Sequence, residues 1–177
     1  SFDGTTLSGT PSNSDVGNHN VILTATDSNS ATTTQYFTIT VANVNDAPTF
    51  TSTGVTSATE DVAYSYTVTT SDVDTGDSVT VTATTKPSWL SFDGTTLSGT
   101  PSNSDVGNNN VVLLATDSNS ATATQSFTIA VANVNDAPTI TSTGVTSATE
   151  DVAYSYRVTT SDVDAEDSVT VIPTAMP

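Results

Sequence analysis

Carboxylates and carboxamides gather in a few short motifs of this chain. Asp72-Val73-Asp74 is one, and Asn133-Val134-Asn135-Asp136-Ala137-Pro138 is another. Glu60 and Asp105 lie in predicted loops, and Asp117 ends a predicted strand. The motifs recur: Asp162 and Asp164 repeat the first, Asn43, Asn45 and Asp46 the second, and Asp15 repeats Asp105. All of these side chains offer oxygen, and the chain has no Cys and one His. Six to eight carboxylate, amide and backbone oxygens suit a hard cation, and Ca2+ better than Mg2+ or Zn2+. The competing explanation is a set of solvated loop acids. Asp61 and Asp77 stay open between the two explanations.

Catalysis is disfavoured on residue types. The lone His19 is matched by Asn109 in the second copy of its motif, so the complete repeat has no His for Ser-His or Cys-His chemistry. Paired carboxylates alone would suit glycoside hydrolysis, but here they are better explained as ligands. The expectation is a protein without enzymatic activity. Lys86 is the only Lys and Met176 replaces it in the next copy, so an isopeptide cross-link is not a general device. With 19 acids, two bases and a formal charge of −17, the chain repels nucleic acid and offers no basic patch to an anionic membrane. No apolar run has membrane-spanning length, and no Asn-x-Ser/Thr sequon occurs.

The elements that position the acids follow from an internal repeat. Residues 1–87 and 91–177 differ at only 14 of 87 paired positions, a period of 90 residues. That period is a whole small domain. The predicted organisation is a half repeat at 1–47, a complete repeat at 48–137 and another half at 138–177. Strand signals recur every 8–15 residues with turn chemistry between them. Strand A lies within Pro48–Ser57, B is Val62–Thr70, C is Ser78–Thr84 and D is Trp89–Phe92. Strand E is Thr95–Gly99, F is Asn110–Thr116 and G is Ala121–Ala132. Residues 1–47 then supply D to G, and 138–177 supply A to C. Alternation points Val62, Tyr64, Tyr66 and Val68 inward on B, and Val111, Leu113 and Ala115 inward on F. The pairs Thr24/Leu114, Tyr36/Ser126, Thr40/Ala130, Thr67/Arg157 and Thr82/Ile172 differ between copies. All fall on faces assigned outward, which supports the register, since an inward Thr-to-Arg change would bury a charge. The predicted fold is all-β: tandem seven-stranded Greek-key sandwiches of the cadherin or Ig-like kind.

Alternating strands sort the loops onto two poles. Stacked head to tail, the acids converge at two junctions. The first gathers Asp15, Asn43, Asn45, Asp46, Asp72, Asp74 and Asp117. The second gathers Glu60, Asp105, Asn133, Asn135, Asp136, Asp162 and Asp164. Asp72 and Asp74 are two apart, so an extended chain aims both the same way.

ATEDVAYSY (58–66 and 148–156), SDVD (71–74), WLSFDGTTLSGTP (89–101), ATDSNSAT (115–122) and NVNDAP (133–138) resemble dystroglycan-type cadherin-like repeats of long bacterial surface proteins. These overlap the Ig-like repeats of the same proteins. In cadherins the linker reads Asp-x-Asn-Asp-Asn-Ala-Pro and binds calcium with a Glu and a DRE element of one domain and a DxD of the next. The resemblance implies those roles for Glu60, Asp105, Asn135, Asp136, Asp162 and Asp164. Asn133 stands where the family has Asp, the second linker Asn is missing, and Asp105 stands alone for DRE, which implies fewer or weaker ions. The implied function is a calcium-rigidified stalk of a secreted bacterial adhesin or surface filament. Its partners would be neighbouring copies of the repeat, head to tail, with half repeats completed by adjacent copies. The alternative is a carbohydrate-binding module with Trp89 as the stacking platform, although its place between Pro87 and a turn favours core packing.

Overall fold

The computed structural model describes residues 1–164 and 167–175. Residues 165–166 and 176–177, part of the predicted third segment and including Met176, lie outside the described residues. The strands in order are β1 (Gly17–Thr26), β2 (Thr32–Val41), β3 (Thr49–Phe50), β4 (Ser57–Thr59), β5 (Tyr64–Thr67), β6 (Thr70–Ser71) and β7 (Thr80–Thr85). They continue with β8 (Leu90–Phe92), β9 (Thr96–Gly99), β10 (Gly107–Thr116), β11 (Thr122–Ala132), β12 (Thr139–Ile140) and β13 (Thr160–Ser161). Single 3-10 turns stand at Asn13–Asp15 and Asn103–Asp105. The fold is all-β, as expected from the strand-length apolar alternation.

The chain gathers into two compact units. One comprises residues 1–52, 69–82 and 114–124, the other 53–68, 83–113 and 125–177. Two larger sheets form, one ordered β4-β11-β10-β7 and one ordered β5-β9-β8. β5 pairs antiparallel with β9, Tyr64 opposite Gly99 and Tyr66 opposite Leu97, while β4 runs parallel to β11 with Val131 opposite Ala58. Between the sheets lie Tyr64, Tyr66, Leu90, Leu97, Val111, Leu113, Ile129 and Val131, all buried. Tyr66 meets Phe127 edge-on with centroids 5.6 Å apart. Inward faces alternate with outward ones along β10 and β11, as a half-buried strand requires. Of the five differing pairs named above, every member is exposed except Leu114, which is half-buried.

The first unit carries the β1–β2 hairpin, registered from Gly17 opposite Val41 to Thr26 opposite Thr32. It also carries the β3–β6 pair and an isolated Phe2–Leu7 bridge. Phe2, Leu7, Phe37 and Ile39 are exposed there, whereas Leu97 and Ile129, the counterparts of Leu7 and Ile39, are fully buried.

Four expectations are corrected. Strand A is split into β3 and β4. Strand B is interrupted between β5 and β6, where Thr69 donates its N–H to Ser52 Oγ instead of to a strand. Val62 is exposed, not inward. Asp61 turns the chain with φ +59°, and the Val62 N–H closes onto the Thr59 carbonyl, so alternation starts only at Tyr64. Asp72 and Asp74 do not lie on extended chain: the Asp74 N–H donates to Asp72 Oδ1 at 3.0 Å, a side-chain turn. In the last segment only β12 and β13 form among the described residues. Tyr154-Ser155-Tyr156 repeats the sequence of β5, but no strand pairs with it among the described residues.

Gly99 sits where β9 passes β8, and a Cβ there would lie 2.0 Å from the Trp89 carbonyl oxygen. Gly99→Ala is expected to lower the denaturant midpoint clearly, and Leu97→Ala to cost about 2–5 kcal/mol. Gly9→Ala is the control, because nothing lies within 4 Å of a Cβ there. Chemical denaturation followed by tyrosine and tryptophan fluorescence measures all three.

Candidate metal centre

Each unit contains one of the two predicted junctions. In the first, the linker after β2 reaches the loop after β6. The Asp46 N–H donates to Asp74 Oδ2 at 2.7 Å, and the Asn45 amide donates to Asp117 Oδ2 at 2.9 Å. The remaining oxygen of Asp117 accepts the N–H groups of Asn119 and Ala121 in the loop before β11. Burial pushes the Asp117 carboxyl up, but the Asn45 amide and those N–H groups outweigh it and hold the group below its ordinary 3.8. Asp72, Asp74 and Asp77 each bring a carboxylate oxygen within 4.8 Å of the others. Asp74 is only 5% exposed. Asp74 Oδ1 and Asp72 Oδ2 are buried and have no hydrogen-bond partner.

The second junction repeats the plan with different partners. The Asp136 N–H donates to Asp164 Oδ2 at 2.6 Å, and Asp164 N–H to Asp162 Oδ1 at 3.1 Å. Here the amides of Asn133 and Asn103 both donate to Asp164 Oδ1, at 2.9 and 3.0 Å. The Asp136 N–H first, and the two amides with it, hold the buried Asp164 carboxyl below its ordinary value. Glu60 is fully buried under the linker, with its N–H on the Ala132 carbonyl and Oε2 facing the Val134 N–H at 3.4 Å. Asp162, Asp164 and Asp167 form the matching carboxylate triad.

The structure therefore brings together Asn45, Asp46, Asp72, Asp74 and Asp117 in one unit, and Glu60, Asn133, Asp136, Asp162 and Asp164 in the other. It does not bring in Asp15 or Asp105 as free ligands. Asp105 Oδ2 accepts the Ser102 N–H and Oγ at 2.9 and 2.7 Å, closing its own 3-10 turn, and Asp15 does the same with Ser12. Two residues ahead of each, Asn103 and Asn13 reach the junction instead, Asn13 donating to Asp46 Oδ2 at 2.7 Å. Asn43 is exposed, and Asn135 turns its amide onto the Asp136 carbonyl. Asp61 is an exposed turn residue. Asp77, which accepts from Ser118 and Asn119, joins the cluster. Its signal was the Asp-x-Asp-x-x-Asp spacing within a single loop.

Trp89 is half-buried, stands edge-on to Tyr64 at 5.7 Å, and donates its Nε1–H to Asn109 Oδ1. Its ring packs as a wall of the core and does not lie flat on the surface. Chemically, the first junction fits a hard cation. Two buried anionic oxygens lack a donor, a third carboxylate stands beside them, and the group holds no His or Cys among the described residues.

Compared with known proteins, residues 1–42 and 47–132 match the model of the Putative Ig domain, He_PIG. No curated protein matches the chain in sequence. Among solved structures, it is similar to PcdhgB3 EC1-4 at 22% identity and TM-score 0.62, covering 86% of this chain and 42% of that one. It is similar to Protocadherin Gamma B7 extracellular cadherin domains 1–4 at 21% identity and TM-score 0.59, with the same two shares. At this identity the likeness shows the fold alone. An endo-fucoidan hydrolase of glycoside hydrolase family 107 aligns at 29% identity over 71% of this chain and 20% of that one, at a TM-score of 0.44 too low to carry an argument. The chain spans less than half the length of each of these structures.

Folded-state values of Asp117 and Asp164 lie below 3.8. A carboxyl depressed on folding contributes stability that is fully present above its unfolded value and lost as pH falls through the folded one. In chelator, the melting temperature is expected to respond little to these two groups from pH 7 to 5 and to fall below about pH 4. Asp117→Asn should flatten that acid limb. A melting series over pH 2–7 reads it.

Proposed function

The chain belongs to the Putative Ig domain family, and on that footing we propose that it is a calcium-stiffened extender: cadherin-like repeats stacked end to end in an extracellular adhesin or surface filament. The observation that carries this reading is the pair of buried, unpartnered oxygens, Asp72 Oδ2 and Asp74 Oδ1, at the end of a repeat. A buried carboxylate oxygen without a donor is costly, and a divalent cation removes the cost. The ligands in the first junction would be Asp72, Asp74 and Asp77, with oxygens of the Asn45-Asp46 linker close by. Those of the second would be Asp162, Asp164 and Asp167, with Glu60 and Asp136 beside them. Calcium supplies charge neutralisation between linker and loop, and with it resistance to bending.

The chain acts through length and stiffness and not by catalysis. Near-identity of the copies supports this, since a spacer repeats one module where an active site needs only one. The likeness to cadherin domains supports neighbouring repeats as partners. A bacterial surface protein of the dystroglycan-like class fits the motifs. No helix is long and apolar enough to cross a membrane. Trp89, packed edge-on and hydrogen-bonded, gives the carbohydrate reading no platform to rest on.

Calcium should raise the melting temperature, because a ligand that binds only the folded form stabilises it by mass action. A gain of about 1 kcal/mol shifts a domain of this size by roughly 4–8 °C. Small-angle scattering should show a larger maximum dimension with calcium than with chelator. Asp74→Asn should remove most of the calcium-dependent rise, and Asp93→Asn should leave it, because Asp93 serves only its own turn. Equal rises in both variants, or no rise in the parent protein, would sink the proposal.

A further inference from the structure

The carboxylates of the first junction are not all served alike by the protein around them. Asp72 Oδ2 and Asp74 Oδ1 have no donor. Asp117, as buried as Asp74 at 5% exposure, has donors on both oxygens. Its Oδ1 takes the Asn119 and Ala121 N–H groups, and its Oδ2 takes the amide of Asn45 in the linker at 2.9 Å. Asn45 is held at its other end too. The Asn119 amide donates to Asn45 Oδ1 at 2.9 Å and also reaches Asp77 Oδ2 at 3.0 Å. A flipped Asn45 would set its carbonyl against the Asp117 carboxylate and its amide against the Asn119 amide, so the two contacts together fix one orientation. The loop that makes these contacts shapes itself. Residues 27–31 repeat its sequence, Asp-Ser-Asn-Ser-Ala, and fold the same turn. There Asp27 Oδ1 accepts the Asn29 and Ala31 N–H groups, and Ser30 has φ +70° against +78° at Ser120.

We infer that Asn45, Asp117 and Asn119 form a clasp that seats the linker on the repeat after it without any cation. All three lie in the first unit, together with the linker. A buried carboxylate with every oxygen hydrogen-bonded is already compensated, whereas one with an open oxygen calls for a counter-charge. The junction therefore has two arms of different chemistry. Asp72 and Asp74 are open to an ion, and Asp117 is closed by a carboxamide. Asp46 stands between the arms. Its N–H donates to Asp74 Oδ2, and its own Oδ2 accepts the Asn13 amide, from ahead of β1, at 2.7 Å. Seating Asn45 thus seats Asp46, and through Asn13 the segment ahead of β1. The joint is closed before an ion arrives. An ion would then stiffen parts already assembled, and a preorganised site binds without the cost of ordering the linker. That last consequence rests on the cation reading. The clasp does not, since it uses neither Asp72 Oδ2 nor Asp74 Oδ1.

Amide hydrogen exchange of the 177-residue polypeptide, read by NMR in chelator, tests the clasp. The reporter is the Asp46 N–H, which exchanges only when the linker lifts from Asp74. In the parent protein it should be protected without calcium. Asn45→Ala leaves a buried carboxylate oxygen without its donor and should cut that protection about tenfold or more, while amides of β10 and β11 keep theirs. Asn119→Ala should cut it by less, and should add nothing in the Asn45→Ala background, because both side chains act through one contact. Asn29→Ala, the same change in the other copy of the turn, should leave it as it is. An Asp46 amide that exchanges freely in the parent protein in chelator overturns the clasp. So does full protection in Asn45→Ala, and so do losses that add in the double variant. Protection in chelator with a melting temperature that calcium does not move keeps the clasp and sinks the cation reading. Protection that appears only with calcium does the reverse.

Discussion

Asp74 and Asp164 each hold one repeat to the linker before it, and the rest of the junction is arranged around that contact. In both places the N–H of the linker Asp donates to a carboxylate oxygen of the following loop, at 2.7 and 2.6 Å. Both carboxylates are buried to 5% exposure. An anionic group taken out of water must be neutralised or fully hydrogen-bonded, or the cost exceeds that of an ordinary lost hydrogen bond. The first junction leaves Asp74 Oδ1 without a donor. The second turns two asparagine amides onto the equivalent oxygen. The two junctions thus differ at one oxygen: the first leaves it without a donor, and the second closes it with two carboxamides. Asparagine suits both arrangements, since its amide donates to a carboxylate and its carbonyl oxygen ligates a metal.

The sandwich matters to function because it fixes where these loops end. β10 and β11 are ten and eleven residues long. Asp117 follows directly on β10 and the linker on β11. Glu60 is seated by its backbone on the Ala132 carbonyl, so the parallel β4–β11 pairing places it under the linker.

Much of this was legible in the sequence for a physical reason. The period-2 alternation of Val111, Leu113 and Ala115 is enforced by burial on one face, and the five differing pairs compared between copies fell on faces assigned outward. The poles followed from strand direction alone. Val62 was misread because alternation does not reveal that Asp61 adopts positive φ and resets the count. Asp105 was misread because composition cannot tell a carboxylate that ligates from one that caps its own turn; only the Ser102 contacts decide it. Asn103 and Asn119 were invisible because their reach depends on loop geometry, not on spacing. Asp72 and Asp74 converge, but through a side-chain turn and not through extended chain.

The account stands on what neutralises Asp72 and Asp74. Crystals grown with calcium, with anomalous data collected at long wavelength, examine this directly. The account predicts a peak about 2.3–2.6 Å from Asp72 Oδ2 and Asp74 Oδ1, completed by six to eight oxygens in all. Density that shows an asparagine amide or a lone water against Asp74 Oδ1 at saturating calcium, with no anomalous peak, would contradict it.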